Sequence, residues 1–264
     1  MSLGKEIIVA GWRLVEAELT DGLSGNISAR SPDGATILIT PSARDYRLLT
    51  EKDLVSLTLA SGEAKGRWKP SSEWRLHRDI YRVRPDVNAV IHHHATWASA
   101  VAVAGKTIPV LVDEAADIGP IPTAAYAPPA SQDLADTVAR EMGRGCNAVL
   151  MANHGAVAVG RDVREALRRA LEVERLAKIY VGAEILGGAH ALPEAGVRTS
   201  QRFFEAYRAA PAEPRNVFPA PRIMEPVGLL DLVDYGFHSG ATFAWLLHAL
   251  ICGKLHRPAG TRGA

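Results

Sequence analysis

Three consecutive histidines end the apolar run VNAVI at 87–91, and they constrain the fold of this chain more than any other feature. The run predicts a buried β-strand, in which successive side chains point to opposite faces. His92 and His94 therefore share one face with their Cβ atoms about 7 Å apart, and His93 points to the other face. Two imidazoles at this spacing predict a metal site, and surface or hydrogen-bonded histidines are the alternative interpretation.

A further histidine follows a second apolar stretch, NAVLMAN at 147–153. His154 stands between Asn153 and Gly155 at the predicted carboxyl end of this strand, where ligand sites of α/β sheets gather. A third imidazole would complete a catalytic zinc site that keeps one position open for substrate. An ordinary loop histidine is one alternative. A closed structural zinc site is another, although such sites are often rich in thiols.

A carboxylate and two hydroxyls stand at the predicted start of a helix. The sequence Pro-Ser-Ser-Glu at 70–73 predicts a helix capped by serine, with Glu73 in the first turn. Glu73 there either compensates the helix dipole or belongs to the site. Ser71 and Ser72 combine hydroxyls with free helix-start amides, which predicts an anion site. The turn Ser24-Gly25-Asn26 predicts a second one.

The charge balance restricts the partners of this chain. The formal net charge is +1 and the arginines are scattered, which argues against nucleic acid and anionic membranes but allows a small anionic substrate. The longest apolar stretch, 241–252, is too short to span a bilayer. Two distant cysteines, Cys146 and Cys252, cannot form a disulfide framework. We therefore expect a cytoplasmic protein without nucleic-acid or membrane partners.

Helical and strand patterns alternate over residues 1–210, which predicts one mixed α/β domain. Helices are expected at 4–19, from 70, and at 96–105, 131–142 and 162–185; strands are expected at 26–30, 35–40, 54–59, 87–95 and 147–153. Residues 211–264 are different, because a proline-rich segment precedes a last apolar stretch. They are interpreted as a C-terminal extension of unknown role.

Taken together and in order, these motifs resemble the class II aldolase/adducin family, most closely its L-fuculose-phosphate aldolase branch. The resemblance covers about residues 5–210. The matching segments are SGNIS (24–28), ITPS (39–42), PSSEWRLH (70–77), IYRVRPDVNAVIHHHA (80–95), NHG (153–155) and EALRRALEVERLA (165–177). PSSEW followed by RPDVNAVIHHHA is highly specific, whereas SGN or NHG alone is not.

The resemblance implies a three-layer α/β/α fold with a central, mainly antiparallel sheet. It also implies a homotetramer with active sites at its subunit interfaces. The metal ligands of the family fall on His92, His94 and His154, and the metal is zinc, with manganese as the alternative. The reaction implied is cleavage of a ketose 1-phosphate, a sugar phosphate, into dihydroxyacetone phosphate and an aldehyde.

Further site residues are assigned by the same resemblance. The family glutamate that leaves the metal to act as acid and base falls on Glu73. The C-terminal tyrosine of the family corresponds in position to Tyr207. The phosphate pocket of the family falls on Gly25, Asn26, Ser42, Ser71 and Ser72.

One departure from the family affects the proton donor. Fuculose-phosphate aldolases have a tyrosine shortly after an Ile-Pro pair, but here Ile108-Pro109 is followed by VLVDEAAD. Asp113 is a candidate replacement, and an ordinary loop carboxylate is the alternative. A sugar-phosphate 4-epimerase and a metal-dependent decarboxylase share the scaffold and stay open as functions. A non-catalytic adducin-like interaction domain is disfavoured, because it predicts loss of the metal ligands.

Overall fold

One eight-stranded sheet organises residues 1–209, the part of the chain that the computed structural model describes. The predicted extension at 211–264 lies outside the described residues. The helices are α1 (Leu3–Glu16), α2 (Trp74–Val83), α3 (Thr96–Val103), α4 (Gln132–Met142), α5 (Val163–Ile185) and α6 (Glu194–Ala209). The strands are β1 (Asn26–Arg30), β2 (Thr36–Ile39), β3 (Val55–Thr58), β4 (Ala64–Lys65), β5 (Ala89–His93), β6 (Thr123–Ala124), β7 (Ala148–Met151) and β8 (Gly155–Gly160).

The strands lie in the order β4-β3-β2-β1-β5-β8-β7-β6. Every neighbouring pair is antiparallel except β6 and β7, which are parallel. The β1–β2 hairpin turns where the sequence predicts it, since the Asp33 carboxylate accepts hydrogen bonds from the backbone amides of Ala35 and Thr36. The mainly antiparallel sheet expected from the family resemblance is confirmed.

Helices cover both faces of the sheet. Along β5, Ile91 packs in the core beneath α1, α3 and α5, and Val90 packs in the core beneath α2 and α4. This alternation is what a strand buried on both faces requires. The predicted three-layer α/β/α architecture is therefore confirmed. No described helix is both long and apolar enough to cross a membrane.

Two local predictions were wrong. The strand expected at 147–153 ends at Met151, and a strand that was not predicted, β8, follows after three residues. Helix α2 begins at Trp74, so Glu73 occupies the N-cap position without capping the helix through its side chain. The reason is a turn before the helix, in which Ser71 accepts hydrogen bonds from the amides of Glu73 and Trp74. The Glu73 side chain is thereby left to face the sheet.

A buried carboxylate from α5 anchors the start of α3, just after the histidine strand. Glu174 is 6% exposed, and its two oxygens accept hydrogen bonds from the amides of Trp97 at 3.2 Å and Ala98 at 2.9 Å. First-turn amides of a helix have no partner within the helix. Glu174 therefore supplies the acceptors that α3 lacks in its own sequence.

We predict that Glu174→Ala destabilises the protein, because it leaves these two amides without acceptors. The expected loss is about 1–3 kcal/mol in the free energy of unfolding, measured by urea denaturation. Glu172→Ala is the matched control on the same helix, since Glu172 pairs with Arg175, which is 46% exposed. It should cost less than about 1 kcal/mol. Equal losses in the two variants would contradict the anchoring role.

Candidate active site

The strand β5 holds the first two site histidines in the middle of the sheet. It lies between β1 and β8, and His92 pairs in register with Asn26 on one side and Val157 on the other. By strand alternation His92 lies on the face that α2 covers, and its side chain is fully buried. His94 follows the last residue of the strand, and its backbone amide donates to the Leu19 carbonyl at 3.1 Å.

His154 reaches the same place from the tight turn between β7 and β8. The turn places Asn153 at φ +57°, a left-handed conformation that asparagine tolerates better than most residues. Gly155 then passes close to β5, where a Cβ would lie 2.4 Å from the His93 carbonyl oxygen. The Asn-His-Gly sequence is thus explained by an antiparallel hairpin. His154 follows the carboxyl end of β7, as the sequence predicts, and the strand β8 after it was not predicted.

The three imidazoles form a nearly equilateral triangle. Ring centroids are 4.7 Å apart for His92 and His94, 5.0 Å for His92 and His154, and 4.9 Å for His94 and His154. One nitrogen from each ring lies within 4.8 Å of the other two. The Nδ1 of His92 is 3.0 Å from the Ala156 carbonyl oxygen, which can only accept a hydrogen bond. The Nδ1 of His92 therefore carries a proton, and Nε2 is the atom that faces the centre of the triangle.

This donor set fits a divalent cation. Burial, with the neighbouring His92 and His154, lowers the pKa of His94 to about 4, and burial also lowers the pKa of His154. His94 and His154 are therefore neutral at pH 7, and the Nε2 atoms of His92 and His94 lie only 2.9 Å apart. At this distance the two nitrogens share either a hydrogen bond, with one ring as the donor, or a cation that both rings bind. A tetrahedral ion with metal–nitrogen distances of about 2.0–2.1 Å would space such nitrogens about 3.3 Å apart.

Glu73 lies beside this triangle and is only 7% exposed. Its Oε2 is 3.1 Å from the Nε2 of His92 and accepts a hydrogen bond from the Asn26 side-chain amide at 3.0 Å. Its Oε1 is buried, lies 3.5 Å from the Nε2 of His154 and has no hydrogen-bond partner among the described residues. Burial alone would raise the pKa of Glu73, but His92, the Asn26 amide and His154 together hold it below its usual value. The carboxylate is ionised at neutral pH.

Two loops bring the predicted serines together next to Glu73. Pro41 and Pro70 form an isolated antiparallel bridge, and the Ser71 amide donates to the Thr40 carbonyl at 3.0 Å. The Ser42 amide donates to the Lys69 carbonyl at 3.1 Å. Ser71 is buried, whereas Ser42 and Ser72 are exposed. The structure therefore places the three serines on adjoining loops.

Two other predicted residues have partners that the sequence did not suggest. Both polar atoms of the Asn26 side chain are engaged, the amide nitrogen with Glu73 and the oxygen with His77. Asp113 begins a 3-10 helix and accepts a hydrogen bond from Ser200 at 2.6 Å. Among the described residues it makes no contact with the three histidines or Glu73. Tyr207 lies in α6, but its side chain is outside the described part.

Sequence reasoning missed the buried hydrogen bonds behind this site. It assigned no function to His77, Ser28 or Tyr81, yet Ser28 bonds to both His77 and Tyr81, and His77 bonds to Asn26. A signal was present. Residues 73, 77 and 81 recur every four positions and so share one face of a helix, and 26 and 28 share one face of a strand.

Comparisons with known proteins agree on one family. Residues 5–181 match the profile of the Class II Aldolase and Adducin N-terminal domain. Over 182 residues, 68% of this chain and 80% of the relative, the sequence is 38% identical to a 5-methylthioribulose-1-phosphate/5-deoxyribulose-1-phosphate aldolase of Rhodospirillum rubrum. Over 181 residues, 68% of this chain and 82% of the relative, it is 36% identical to an L-fuculose phosphate aldolase of Escherichia coli.

A solved structure gives the same result for the fold. The structure of an L-fuculose 1-phosphate aldolase superposes with a TM-score of 0.73 at 33% sequence identity. The match covers 77% of this chain and 96% of that one.

We predict that Gly25→Ala damages the metal site. Gly25 has φ +77°, and an added Cβ would lie 2.5 Å from the carbonyl oxygen of His92, so either β5 or the turn must move. Gly34→Ala is the matched control, because Gly34 has φ +70° with no atom within 4 Å of the added Cβ.

The control should lose only about 1–2 kcal/mol in the free energy of unfolding, because alanine is disfavoured in a left-handed conformation. Gly25→Ala should lose more stability and should also bind less metal per chain, measured by elemental analysis. Equal metal content in the two variants would show that the close approach at Gly25 does not position His92.

Proposed function

Because the chain belongs to the class II aldolase and adducin family, we propose that it is a metal-dependent aldolase that cleaves a ketose 1-phosphate into dihydroxyacetone phosphate and an aldehyde. The relatives named above act on 5-methylthioribulose, 5-deoxyribulose and L-fuculose phosphates. We propose a substrate of this class. The metal is proposed to be zinc, since three imidazoles with an open position are a common catalytic zinc site.

The observation that supports the proposal most strongly is the state of Glu73. One carboxylate oxygen is fixed by Asn26, and the other is buried beside His154 without a hydrogen-bond partner. An unpaired buried oxygen costs free energy in the folded protein, so it indicates a group that interacts with something absent from the free chain. Proton transfer to and from a substrate carbon requires such an oxygen.

The reaction needs few groups from the protein. In cleavage a base on the aldehyde side takes the proton of the C4 hydroxyl, the bond between C3 and C4 of the ketose breaks, the aldehyde leaves, and the electron pair of that bond passes towards the C2 carbonyl oxygen. A bound divalent ion supplies a Lewis acid that stabilises this negative charge. We propose that in the synthesis direction the ionised Glu73 removes the C3 proton through Oε1, and that in cleavage Glu73 takes up a proton from solvent and delivers it to C3.

The loops around Glu73 would orient the substrate through its phosphate. We propose that Gly25, Ser42, Ser71 and Ser72 line the phosphate pocket, because they adjoin the catalytic carboxylate and two of the hydroxyls are exposed. We propose that Asn26 contacts the phosphate only through its backbone, since its side chain is hydrogen-bonded to Glu73 and His77. Binding energy at the phosphate would then fix the position of C3.

Family resemblance extends the proposal to the whole molecule. We propose a cytoplasmic homotetramer whose active sites lie at the subunit interfaces. In this arrangement a group from a neighbouring subunit would complete the site on the aldehyde side.

We expect the purified protein to hold about one divalent ion per chain and to release dihydroxyacetone phosphate from a panel of ketose 1-phosphates. Glu73→Gln should keep its metal and lower kcat by about 10²–10⁴-fold, because it loses the proton acceptor. His92→Ala should lose both metal and turnover. A coupled assay for dihydroxyacetone phosphate with parallel metal analysis measures both. Metal-loaded protein that cleaves no member of the panel would refute the proposal.

The role of Asp113 as proton donor stays a prediction. If it protonates the aldehyde oxygen, Asp113→Asn should lower kcat by about 10²-fold or more and leave the metal content unchanged. Ser200→Ala is the control, because it removes the partner of Asp113 but keeps the carboxylate. A wild-type kcat in Asp113→Asn would exclude this residue from the mechanism.

A further inference from the structure

We propose that His77 is a positioning residue for the reaction, acting on Glu73 through Asn26. The inference rests on the proposed function, because it concerns the carboxylate that handles the substrate proton. It gives a role to a buried series of hydrogen bonds that neither the metal nor the phosphate pocket requires.

This series of hydrogen bonds, from Tyr81 to Glu73, is continuous and buried. The Tyr81 hydroxyl is 2.9 Å from the Ser28 hydroxyl, which is 2.7 Å from Nδ1 of His77. The Nε2 of His77 bonds to the Asn26 side-chain oxygen, and the Asn26 amide nitrogen donates to Glu73 Oε2 at 3.0 Å. His77 and Ser28 are fully buried, and Tyr81 and Asn26 are 2% and 4% exposed.

The direction of each hydrogen bond in the series follows from the orientation of the Asn26 amide. The NH₂ group of Asn26 faces Glu73 Oε2 and donates to it, and the amide oxygen faces His77. His77 must then donate from Nε2–H, which leaves Nδ1 to accept from Ser28. The Ser28 oxygen in turn accepts from Tyr81. All the donors thus point towards Glu73.

The electrostatics of the buried groups agree with this direction. Burial lowers the pKa of His77 to about 3, so the ring is neutral at pH 7 and exists as a single tautomer set by its partners. Burial also raises the pKa of Tyr81, which keeps its proton as a donor.

His77 has a specific effect in this arrangement. An asparagine amide can turn over by 180° with little change in shape, which would point its oxygen at Glu73 and repel the carboxylate. The Nε2–H of His77 prevents this, because only the amide oxygen can accept its proton. Oε2 of Glu73 is therefore held, and Oε1 alone is left for the substrate.

The alternative is that His77 only stabilises the core. The two roles predict different results for two variants of similar size. In His77→Gln the amide nitrogen stands where Nε2 stood, so the donor to Asn26 is kept. In His77→Asn the amide reaches only the position of Nδ1, so the bond to Asn26 is lost while a partner for Ser28 is kept.

We expect His77→Asn to lower kcat by about 10–100-fold, with KM changed by less than about 3-fold and with metal content unchanged. His77→Gln should restore kcat to within about 3-fold of wild type. Exchange of the C3 proton of dihydroxyacetone phosphate with deuterated water should follow kcat, because it reports proton transfer without an aldehyde. Melting temperatures record the structural effect separately.

Tyr81→Phe provides a control at the end of the hydrogen-bond series that is farthest from Glu73. It removes the last donor but leaves the bonds among His77, Asn26 and Glu73, so its kcat should stay within about 3-fold of wild type. A loss of kcat as large as that in His77→Asn would overturn the proposal, because the effect would then not depend on the bond to Asn26.

A measurement on the unmodified protein keeps the proposal open to refutation if the His77 variants do not fold. Nitrogen-15 NMR of the His77 ring should show the neutral Nε2–H tautomer between pH 6 and about 8 in metal-loaded and metal-free protein alike. An Nδ1–H tautomer would overturn the proposal.

The experiments distinguish failure of the proposed function from failure of the proposed role of His77. Wild-type protein that neither cleaves ketose phosphates nor exchanges the proton would refute the proposed function, and the role of His77 with it. If the wild type is active and His77→Asn has the same kcat per metal-loaded chain, only the role of His77 is refuted.

Discussion

The convergence of three imidazoles on one point is the constraint on which the rest of the site depends. Such a cluster requires a backbone that is held closely on both sides of the strand. Here β5 lies between β1 and β8, and two glycines, Gly25 and Gly155, let the chain approach the carbonyl groups of His92 and His93. The Ala156 carbonyl fixes the tautomer of His92. The three ring nitrogens could together hold a divalent cation.

The two faces of the sheet have different roles: one carries the candidate site and the other carries hydrophobic core. On the face of β1 and β5 that α2 covers, polar side chains from the strands meet Glu73, His77 and Tyr81 from one side of the helix. On the opposite face, Ile27 and Ile91 pack into the core beneath α1, α3 and α5. One strand alternation thus produces both a candidate metal site and a hydrophobic support for it. A buried carboxylate with one fixed and one free oxygen is the chemical result.

Most of the fold could be read from the sequence because its signals are local. The helical pattern at 162–185 predicted α5, and the strand patterns at 26–30 and 35–40 predicted β1 and β2. The short strand GAVAVG was missed, because glycine and alanine carry little strand signal and its pairing with β5 and β7 depends on residues far along the chain. The three histidines and Glu73 were found from spacing and family motifs. The link from Tyr81 to Asn26 was not, since it joins a helix to a strand about 50 residues away, and only packing decides that contact.

The most direct test of this account is a metal titration of the chelated protein, with release of dihydroxyacetone phosphate from a ketose 1-phosphate measured at each step. The account predicts no activity without metal, a linear rise as zinc is added, and saturation at one ion per chain. Full activity in the metal-free protein would contradict it, as would a fully loaded protein that releases no product.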